Sequence, residues 1–467
     1  MTVHPDGVRK LLNAVKPHKA SGPDGIPNRV LKELAGELAP VLAALFNQSL
    51  QHECVPEDWT KAMVTPVFKK GGVHDPGNYR PVSLTCVISK LMEHVLCKHI
   101  LNHLEKNHLL TSFQHGFRKA HSERLLSKLA HYGIRGPIQR WIRSFLQDRS
   151  MWVVADGECS PSTRVLSGVP QGTVLGPLLF LMYINDLPSC LTPGTTARLF
   201  ADDCLVYREI RGQEDQVILQ RDLVALQDWA TTWGMKFNPK KCNTMSITRN
   251  KNPLTRMYEM CGELLQQTRE AKYLVVTLSQ DLKWSAHVNT TVKRANHTLN
   301  FLSRNLRFCP RQVRETAYFS LVRSSMEYAA VVWDPFRQKD IDALEMVNRR
   351  AARFVTSNYR RQDVSVTALL RDLKWPSLQT RRQDAHLVMM YKITNGLVAV
   401  LPTRLTPAHA RTRANHAHKY RTLQPKCDTA KFAYFARTIL EWNNLSAHVV
   451  DSPSLDTFKS RLLSSHP

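Results

Sequence analysis

The spacing of apolar residues along the chain predicts both helices and strands. Apolar residues that recur every three or four positions predict amphipathic helices. In the clearest of them, Asp340–Tyr359, the inward positions are Ile341, Leu344, Val347, Ala351 and Phe354. Further helices are predicted at Val8–Val15, Val30–Leu38, Val41–Leu50, Ser89–Leu104, in two parts of His121–Arg149, after Ser167, at Val217–Thr232 and at His386–Thr394.

Shorter runs rich in β-branched and aromatic residues predict strands. Met63–Phe68 is predicted as a strand that Pro66 breaks. Met151–Ala155 is predicted as a strand that turns at Asp156-Gly157 and returns at Thr163–Leu166. Further strands are predicted within Trp233–Ile247, on both sides of a turn with Lys240 and Lys241, and within Ala271–Trp284. The mixture predicts an α+β fold.

Two adjacent carboxylates interrupt the apolar stretch Ala197–Tyr207. Leu199 and Phe200 precede Asp202 and Asp203, and the apolar run resumes after them. The pattern predicts two short strands with the acids at the turn between them. Neighbouring carboxylates repel each other, and Mg²⁺ takes oxygen ligands such as carboxylates and substrate phosphates. The stretch therefore predicts a metal site for phosphoryl transfer, with a solvated Asp-Asp turn as the alternative.

The charge balance favours nucleic acid as a partner. The chain has 64 Lys and Arg against 39 Asp and Glu, a net charge of +25. The excess is uneven, with 19 basic and 8 acidic residues in Lys283–Arg382. Arg349, Arg350 and Arg353 lie mostly off the apolar face of their helix, where phosphates can reach them. A structural protein without nucleic acid is therefore disfavoured.

The cysteines and the N-terminus indicate an intracellular protein. The ten cysteines form no C-x-x-C pair, so a zinc module is unsupported. The first residues, MTVHPDGVRK, have no apolar signal core, and the longest apolar run, Val174–Ile184, is too short to span a bilayer. We expect reduced thiols in the nucleus or cytoplasm, and no membrane partner.

Two loops carry residues suited to nucleotides. Lys69, Lys70 and Arg80 flank a Gly/Pro turn and suit a triphosphate, although a solvated loop has the same composition. In the loop after Ser167, Gly168 and Gly172 let a backbone approach a ligand closely. Gln171 can hydrogen-bond a base edge or sugar, and the alternative is a tight loop that caps a core helix.

The motifs follow one another in an order that resembles the reverse transcriptase of LINE-like, non-LTR retrotransposons of the jockey-like sort. They are KASGPDGIP, NYRPVSL, QHGFRK, SGVPQGTVLGPLLF, FADD, KFNPKKC and KYL. The resemblance covers nearly the whole chain. It implies a right-hand polymerase that copies an RNA template from a DNA primer, with deoxynucleoside triphosphates as substrates. It also implies two Mg²⁺ ions that clamp the attacking and leaving oxygens.

The resemblance also implies a division of the chain. Residues 1–120 would form the fingers and N-terminal palm, 121–282 the palm with the FADD hairpin and primer grip, 283–385 a basic helical thumb, and 386–467 a C-terminal helical and loop tail. The sequence does not indicate the oligomeric state of the protein.

Residue roles follow from the same resemblance. Asp202 and Asp203 match metal ligands, and Lys69, Lys70 and Arg80 match triphosphate contacts of the fingers. Gly168, Gln171 and Gly172 match the loop that positions the template and incoming nucleotide. Lys241 matches a lysine that can protonate departing pyrophosphate. Tyr273 and Leu274 match the primer-gripping hairpin.

The sequence departs from this pattern in the palm. The family normally has a strand with another metal-binding aspartate, and then an aromatic gate against ribonucleotides, between QHGFRK and the LLSKL helix. Only five residues separate Lys119 from Leu125, fewer than a strand with its connections requires. The strand, its carboxylate and the gate are therefore predicted to be missing, leaving the palm sheet incomplete.

Two further departures concern the primer grip and the start of the chain. Val275 stands where the family usually has Gly, which predicts strain. No endonuclease domain precedes Met1, so we expect no target nicking. The sequence predicts a reverse transcriptase domain with impaired catalysis, and the alternative is a degenerate, non-catalytic remnant that binds RNA or DNA.

Overall fold

Contacts along the chain divide it into two units in a computed structural model. The structure describes residues 1–69, 71–110, 114–115, 122–165, 171–248, 250, 254, 256–359, 364–400, 405–408 and 416–465. The first unit comprises Met1–Lys241 and Leu254–Leu265, and the second comprises Cys242–Pro253 and Gln266–Pro467.

The first unit contains eight described α-helices and most of the described strands. The helices are α1 (Pro5–Asn13), α2 (Asn28–Glu33), α3 (Ala35–Gln51), α4 (Val87–Lys106), α5 (Ser122–His131), α6 (Gly136–Leu146), α7 (Leu175–Ile184) and α8 (Gln213–Thr232). The strands that precede α8 are β1 (Lys61–Phe68), β2 (Tyr79–Thr85), β3 (Gln114–His115), β4 (Ser150–Ala155), β5 (Glu158–Cys159), β6 (Thr163–Arg164), β7 (Thr195–Phe200) and β8 (Asp203–Arg208).

These strands build two sheets. In the larger sheet β1 pairs antiparallel with β2 and parallel with β4, and both β5 and β6 pair with β4. In the smaller sheet β7 pairs antiparallel with β8 and parallel with β3. The smaller sheet carries the predicted Asp-Asp turn, so the mixed α+β character expected from the sequence is confirmed.

The apolar helix α7 lies inside the first unit. Leu175, Leu179, Phe180 and Tyr183 are fully buried, because nearly every residue of this helix is apolar and it has no polar face to turn to water. From α5, Lys128 donates to the carbonyl oxygen of Tyr183, at 2.5 Å, and to Asp186, at 2.6 Å. These contacts fix the segment that leads into the β7–β8 hairpin.

The second unit is mostly helical. Its α-helices are α9 (Ser285–Asn305), α10 (Arg311–Ala317), α11 (Ser324–Glu327), α12 (Gln338–Thr356), α13 (Val366–Asp372), α14 (Leu378–Thr394), α15 (Asp428–Lys431), α16 (Tyr434–Asn444), α17 (Ala447–Val450) and α18 (Leu455–Ser464), with a π-helix at Tyr318–Arg323. The remaining strands of the chain are β9 (Asn243–Thr244), β10 (Glu259–Met260), β11 (Glu263–Leu264), β12 (Gln266–Gln267), β13 (Glu270–Tyr273) and β14 (Val276–Ser279), of which β10 and β11 belong to the first unit.

Two apolar clusters form the core of the second unit. One includes Trp333, Leu344 and Phe354, and the other includes Met390, Trp442 and Phe458. The five inward positions predicted for α12 are all buried, as the sequence indicated. No helix in the described part of the chain is long and apolar enough to cross a membrane.

The break predicted at Pro66 is wrong. β1 runs through Pro66, which faces Pro81 of β2. Three residue pairs further along the hairpin, Lys69 donates its backbone N–H to the carbonyl oxygen of Asn78. Alternation along an antiparallel ladder then places the two prolines at a non-hydrogen-bonded position, where neither needs an N–H group.

Other predicted elements need correction. The helix predicted across Val30–Leu38 is two helices that meet at Leu34, and both Val30 and Leu34 are exposed. Residues 235–238 form no strand, and of the return strand in that region only β9 is present. The short strand β5 was not predicted, and α14 begins eight residues earlier than the predicted His386.

Candidate active site

The Asp-Asp pair lies at the tip of a two-residue hairpin. β7 ends at Phe200, which pairs with Asp203 at the start of β8, so Ala201 and Asp202 form the turn. Ala201 has a φ of +58°, a conformation that costs a residue with a Cβ about 1–2 kcal/mol. Both aspartates are exposed, whereas Ala197 and Leu199 on β7 are buried. The predicted position of the acids at the turn is therefore confirmed.

The donor set at this turn suits a hard divalent cation. Asp202 and Asp203 supply carboxylate oxygens, and Mg²⁺ is commonly held by one or two carboxylates together with substrate phosphates. Within the described ranges, no group of three or more His, Cys, Asp or Glu side chains is gathered for a metal. The turn thus fits Mg²⁺ when substrate oxygens complete the coordination.

A buried aspartate on α8 anchors the base of this hairpin. Asp222 accepts hydrogen bonds from the backbone N–H of Thr192, at 3.0 Å, and from the hydroxyls of Thr192 and Thr195, at 2.9 and 2.5 Å. Arg208, at the far end of β8, is paired with Asp215 at 3.0 Å. The hairpin is therefore fixed at its base, and its acidic tip faces solvent.

The β1–β2 hairpin places two of the predicted triphosphate contacts on one structure. Lys69 follows β1 and donates its backbone N–H to the Asn78 carbonyl oxygen at 2.8 Å, and Arg80 lies opposite Val67. Both side chains are exposed. The intervening turn is closed by Asp75, which accepts from the N–H of Gly77 at 2.9 Å. Lys70 lies outside the described residues.

Gly172 packs directly against β2. Its φ is +81°, and a Cβ at this position would lie 2.2 Å from the carbonyl oxygen of Ser83. The backbone that Gly172 approaches closely is β2, the strand that also carries Arg80, and the approach to a ligand predicted for this glycine stays a prediction. Gln171 beside it is exposed. Gly168 lies outside the described residues.

A buried glutamate on α4 holds the segment that follows Gly172. Glu93 accepts hydrogen bonds from the backbone N–H groups of Val174, at 2.6 Å, and Leu175, at 2.9 Å, at the start of α7. The first N–H groups of a helix lack partners within it, and a carboxylate is favoured there. Burial raises the pKa of Glu93, while these two N–H groups and the charge of Arg149 act in the opposite direction.

The predicted primer-grip residues lie on the β13–β14 hairpin of the second unit. Its turn consists of Leu274, with a φ of +47°, and Val275, with a φ of +71°. Tyr273 pairs with Val276 across the turn, and the Tyr328 hydroxyl donates to the Leu274 carbonyl oxygen at 3.3 Å. A β-branched residue rarely adopts a positive φ, so the strain predicted at Val275 is present.

A buried histidine supports this hairpin from α9. The backbone N–H of Thr277 donates to Nδ1 of His287 at 3.2 Å. Burial lowers the pKa of His287 to about 4, and the nearby charges of Arg294 and Lys272 act in the same direction. The ring is therefore neutral near pH 7, which leaves Nδ1 able to accept this hydrogen bond.

We expect Val275→Gly to stabilise the second unit by about 1 kcal/mol, since glycine adopts a positive φ without the steric cost borne by valine. Val275 is 44% exposed, so little buried apolar contact is lost. Urea unfolding of the two proteins measures the difference. Val332→Gly, at another exposed valine whose φ is not positive, should not stabilise. A loss of stability in Val275→Gly would contradict the strain.

An arginine between α9 and α12 is held by neutral side chains. Arg350 donates to the Oδ1 atoms of Asn296, at 2.7 Å, and Asn300, at 3.2 Å. Elsewhere in the second unit Arg381 and Arg382 are paired with Glu327 and Asp334. Because an amide oxygen carries no net charge, the positive charge of Arg350 is oriented but not neutralised.

Part of the chain is similar to a known protein family. Residues 114–278 match the reverse transcriptase (RNA-dependent DNA polymerase) family. These residues are a reverse transcriptase domain homologous to the RNA-directed DNA polymerases of non-LTR retrotransposons.

Three curated relatives that the chain resembles come from Drosophila melanogaster. The probable RNA-directed DNA polymerase from transposon BS is 26% identical, over 76% of this chain and 45% of its own length. The polymerase from the mobile element jockey is 25% identical, over 88% of this chain and 50% of its own, and that from the X-element is 26% identical, over 76% and 44%. The chain thus spans about half the length of these relatives.

The structure brings several predicted residues of the reverse transcriptase together and leaves others apart. Asp202 and Asp203 share one turn, and Gly172 lies against the strand of Arg80. Lys241 ends a short 3₁₀ turn at the end of the first unit, and its role stays a prediction. The junction Lys119–His121, where the palm strand is predicted to be missing, lies outside the described residues.

Sequence reasoning missed the anchors behind these residues. Glu93 and Asp222 lie on the buried faces of the long helices α4 and α8. Each accepts hydrogen bonds from residues at the start of another element. One charged residue in a helix is usually solvated, so the sequence gives little indication of such a role. The position of Asp222 beside the inward Leu223 and Leu226 was the one available indication.

Proposed function

We propose that this chain is the RNA-directed DNA polymerase portion of a non-LTR retrotransposon, that it binds an RNA template and a DNA primer, and that its catalysis is strongly impaired. The observation that carries the proposal is the exposed Asp202-Asp203 pair at the tip of a hairpin, within the stretch that matches the reverse transcriptase family. In this proposal the β1–β2 hairpin belongs to the fingers, the β7–β8 hairpin to the palm, and residues 283–385 to the thumb.

Each site residue has a proposed task in nucleotide addition. Asp202 and Asp203 would hold Mg²⁺, which supplies charge stabilisation to the reacting phosphate. Lys69 and Arg80 are exposed on one hairpin and would bind the triphosphate oxygens. Gln171 would contact the nucleotide, and its loop is seated by Gly172 against Ser83. Lys241 would donate a proton to the leaving pyrophosphate.

The impairment is proposed from the short junction between Lys119 and Leu125. A missing palm strand would remove a carboxylate that two metal ions share, and Asp202 and Asp203 are adjacent on one turn and cannot replace it. The lengths of the matches support a shortfall. The alignment with the BS relative is 408 positions long. It covers 76% of the 467 residues of this chain, which is about 355 residues. About 50 positions of the alignment therefore have no residue in this chain.

A second candidate function is a remnant that binds RNA or DNA without any catalysis. Both candidates are expected to bind nucleic acid, because the charge of Arg350 is oriented and no acidic residue lies between Asp281 and Glu315. Primer extension separates the two. Weak extension above that of Asp202→Asn identifies an impaired polymerase, and extension equal to it identifies a non-catalytic remnant.

Nucleic-acid binding is tested through Arg350. We expect Arg350→Gln to weaken binding of a primer–template at low salt and to reduce the slope of log K against log salt by about 0.7–0.9, the effect of losing one phosphate contact. Filter binding over a salt series gives this slope. Asn300→Asp, which places a carboxylate against the same guanidinium, should lower binding in the same way although Arg350 remains.

A matched control removes one positive charge elsewhere. Lys459 on α18 is paired with Asp456 at 3.4 Å, so Lys459→Gln changes the net charge equally but should leave the slope unchanged. Equal slopes for Arg350→Gln and Lys459→Gln would contradict a specific role for Arg350. A binding constant of the unmodified chain that does not depend on salt would contradict the proposed nucleic-acid partner.

A further inference from the structure

The turn between α9 and α10 carries the most exposed large apolar side chain in the described part of the chain. Phe308 is 94% exposed, and the next such residue, Leu264, is 66% exposed. Single exposed apolar residues are ordinary at protein surfaces, so the exposure alone indicates no function. What distinguishes Phe308 is the rigidity of its turn and the residues around it.

The turn is held at both ends. Cys309 donates its N–H to the carbonyl oxygen of Leu306 at 3.1 Å, so Arg307 and Phe308 are the two central residues of a β-turn. Leu306 packs against the core of the second unit. On the other side, the buried Arg314 of α10 donates to the Phe354 carbonyl oxygen at 2.8 Å. The phenyl ring is therefore presented from a fixed backbone.

The surroundings of Phe308 are basic and aromatic. Arg304 and Arg307 are exposed, and the guanidinium carbon of Arg307 lies 5.6 Å from the Phe308 ring centroid. Phe301, one helical turn before Arg304, is 52% exposed. Arg311 at the start of α10 is paired with Asp372 at 3.1 Å. Basic residues near the end of α9 also favour the helix dipole, but this does not account for the exposed rings.

The chemistry of this surface matches one kind of partner. Aromatic rings that alternate with arginines bind single-stranded nucleic acid, because each unpaired base has a free face for stacking and each phosphate a charge for arginine. In a duplex the faces of the bases are covered by their neighbours. An apolar protein surface would cover the phenylalanines but would leave the arginine charges without partners.

We propose that residues 301–311 bind a single-stranded stretch of RNA or DNA, with an unpaired base on Phe308 and the adjoining phosphates on Arg304 and Arg307. The inference rests on the proposed function for the presence of nucleic acid. It adds that the second unit holds an unpaired strand through a defined aromatic contact. The bases at this surface are not selected by sequence, since stacking tolerates all four.

Binding of a fluorescent single strand, compared with the same strand in a blunt duplex, tests the proposal. The measurement uses the full chain at a salt concentration that screens most phosphate contacts. Phe308→Ala should weaken single-strand binding on the order of tenfold and leave duplex binding within about twofold. Phe308→Trp should restore the binding, whereas Phe308→Leu should not. Leu440→Ala, at another exposed apolar residue of the second unit, should have no effect.

A photo-crosslink gives an independent readout. A single strand that contains 5-bromouridine should crosslink to the peptide that contains Phe308, and the product should disappear in Phe308→Ala. Unchanged single-strand binding in Phe308→Ala, equal losses for both nucleic acids, or full recovery by Phe308→Leu would overturn the proposal. Failure of the unmodified chain to bind any nucleic acid would overturn the proposed function as well.

Discussion

Insertion of the palm segment of a jockey-like relative between Lys119 and His121 is expected to raise primer extension by about a hundredfold or more over the unmodified chain. The segment would supply the carboxylate that the family places opposite the FADD hairpin. A carboxylate shared by two metal ions stabilises the charge that develops on the transferred phosphate, and loss of one such electrostatic group commonly costs about 10²–10³ in rate. Extension of a labelled DNA primer on an RNA template in Mg²⁺ measures the gain.

The inserted segment adds a strand to the sheet as well as a carboxylate. A second insertion is required to separate the two effects. The same segment with its aspartate replaced by asparagine should restore strand pairing but not extension. Equal extension by the two insertions would show that the inserted strand, and not its carboxylate, restores extension. Failure of the first insertion to exceed the unmodified chain would contradict the proposed cause of impairment.

Gly172→Ala is expected to destabilise the first unit by about 2–5 kcal/mol. Alanine at a φ of +81° bears the cost of a left-handed conformation, and its Cβ would meet the carbonyl oxygen of Ser83 at 2.2 Å. Since that atom belongs to the backbone of β2, the loop or the strand must shift, and overpacking of this kind costs about 1–3 kcal/mol more. Denaturant unfolding, followed by hydrogen exchange at the backbone amides of the first unit, measures the change.

The two costs are separated by a matched control in the same unit. Gly25 has a φ of +67° but no atom within 4 Å of an added Cβ, so Gly25→Ala should cost only about 1–2 kcal/mol. Gly36 has neither feature and lies in α3, so Gly36→Ala should be neutral or stabilising. A cost for Gly172→Ala no larger than that for Gly25→Ala would show that the loop is not seated on β2.

The sequence predicted the helices best where one face is apolar over several turns. The five inward positions of α12 are buried, because a period of 3.6 residues permits only one such face. The prediction failed at Leu34, where α2 ends and α3 begins although the apolar spacing continues. Propensity gives little warning there, since no proline or glycine occupies the break.

The hairpins were predicted to different extents. The acids of the β7–β8 turn followed from the local pattern of apolar residues, because turn residues act locally, whereas the strain at Val275 was predicted from the family resemblance. Pro66 was misjudged because its tolerance depends on Pro81, which lies opposite it only after the strands pair. A residue's place in a ladder is a tertiary property, which a single stretch of sequence does not contain.

The candidate site shows the same division. The turn position of Asp202 and Asp203 could be predicted from the chain, whereas the backbone partner of Gly172 could not. Glu93 was not predicted either, since its hydrogen bonds reach residues 81 and 82 positions away in the chain. Residues that position a site from a distance act through the packing of helices. The local sequence pattern does not indicate how the helices pack.

The proposed function is tested most directly by whether the unmodified chain transfers nucleotides. Primer extension on an RNA template in Mg²⁺ should be compared between the unmodified chain and Asp202→Asn, with both proteins at concentrations that saturate the primer–template. We expect the two proteins to bind the primer–template equally well and the unmodified chain to extend it only weakly above Asp202→Asn, because we propose that the carboxylate acting with Asp202 has been lost. Extension by the unmodified chain well above that of Asp202→Asn would contradict this account and identify a working polymerase.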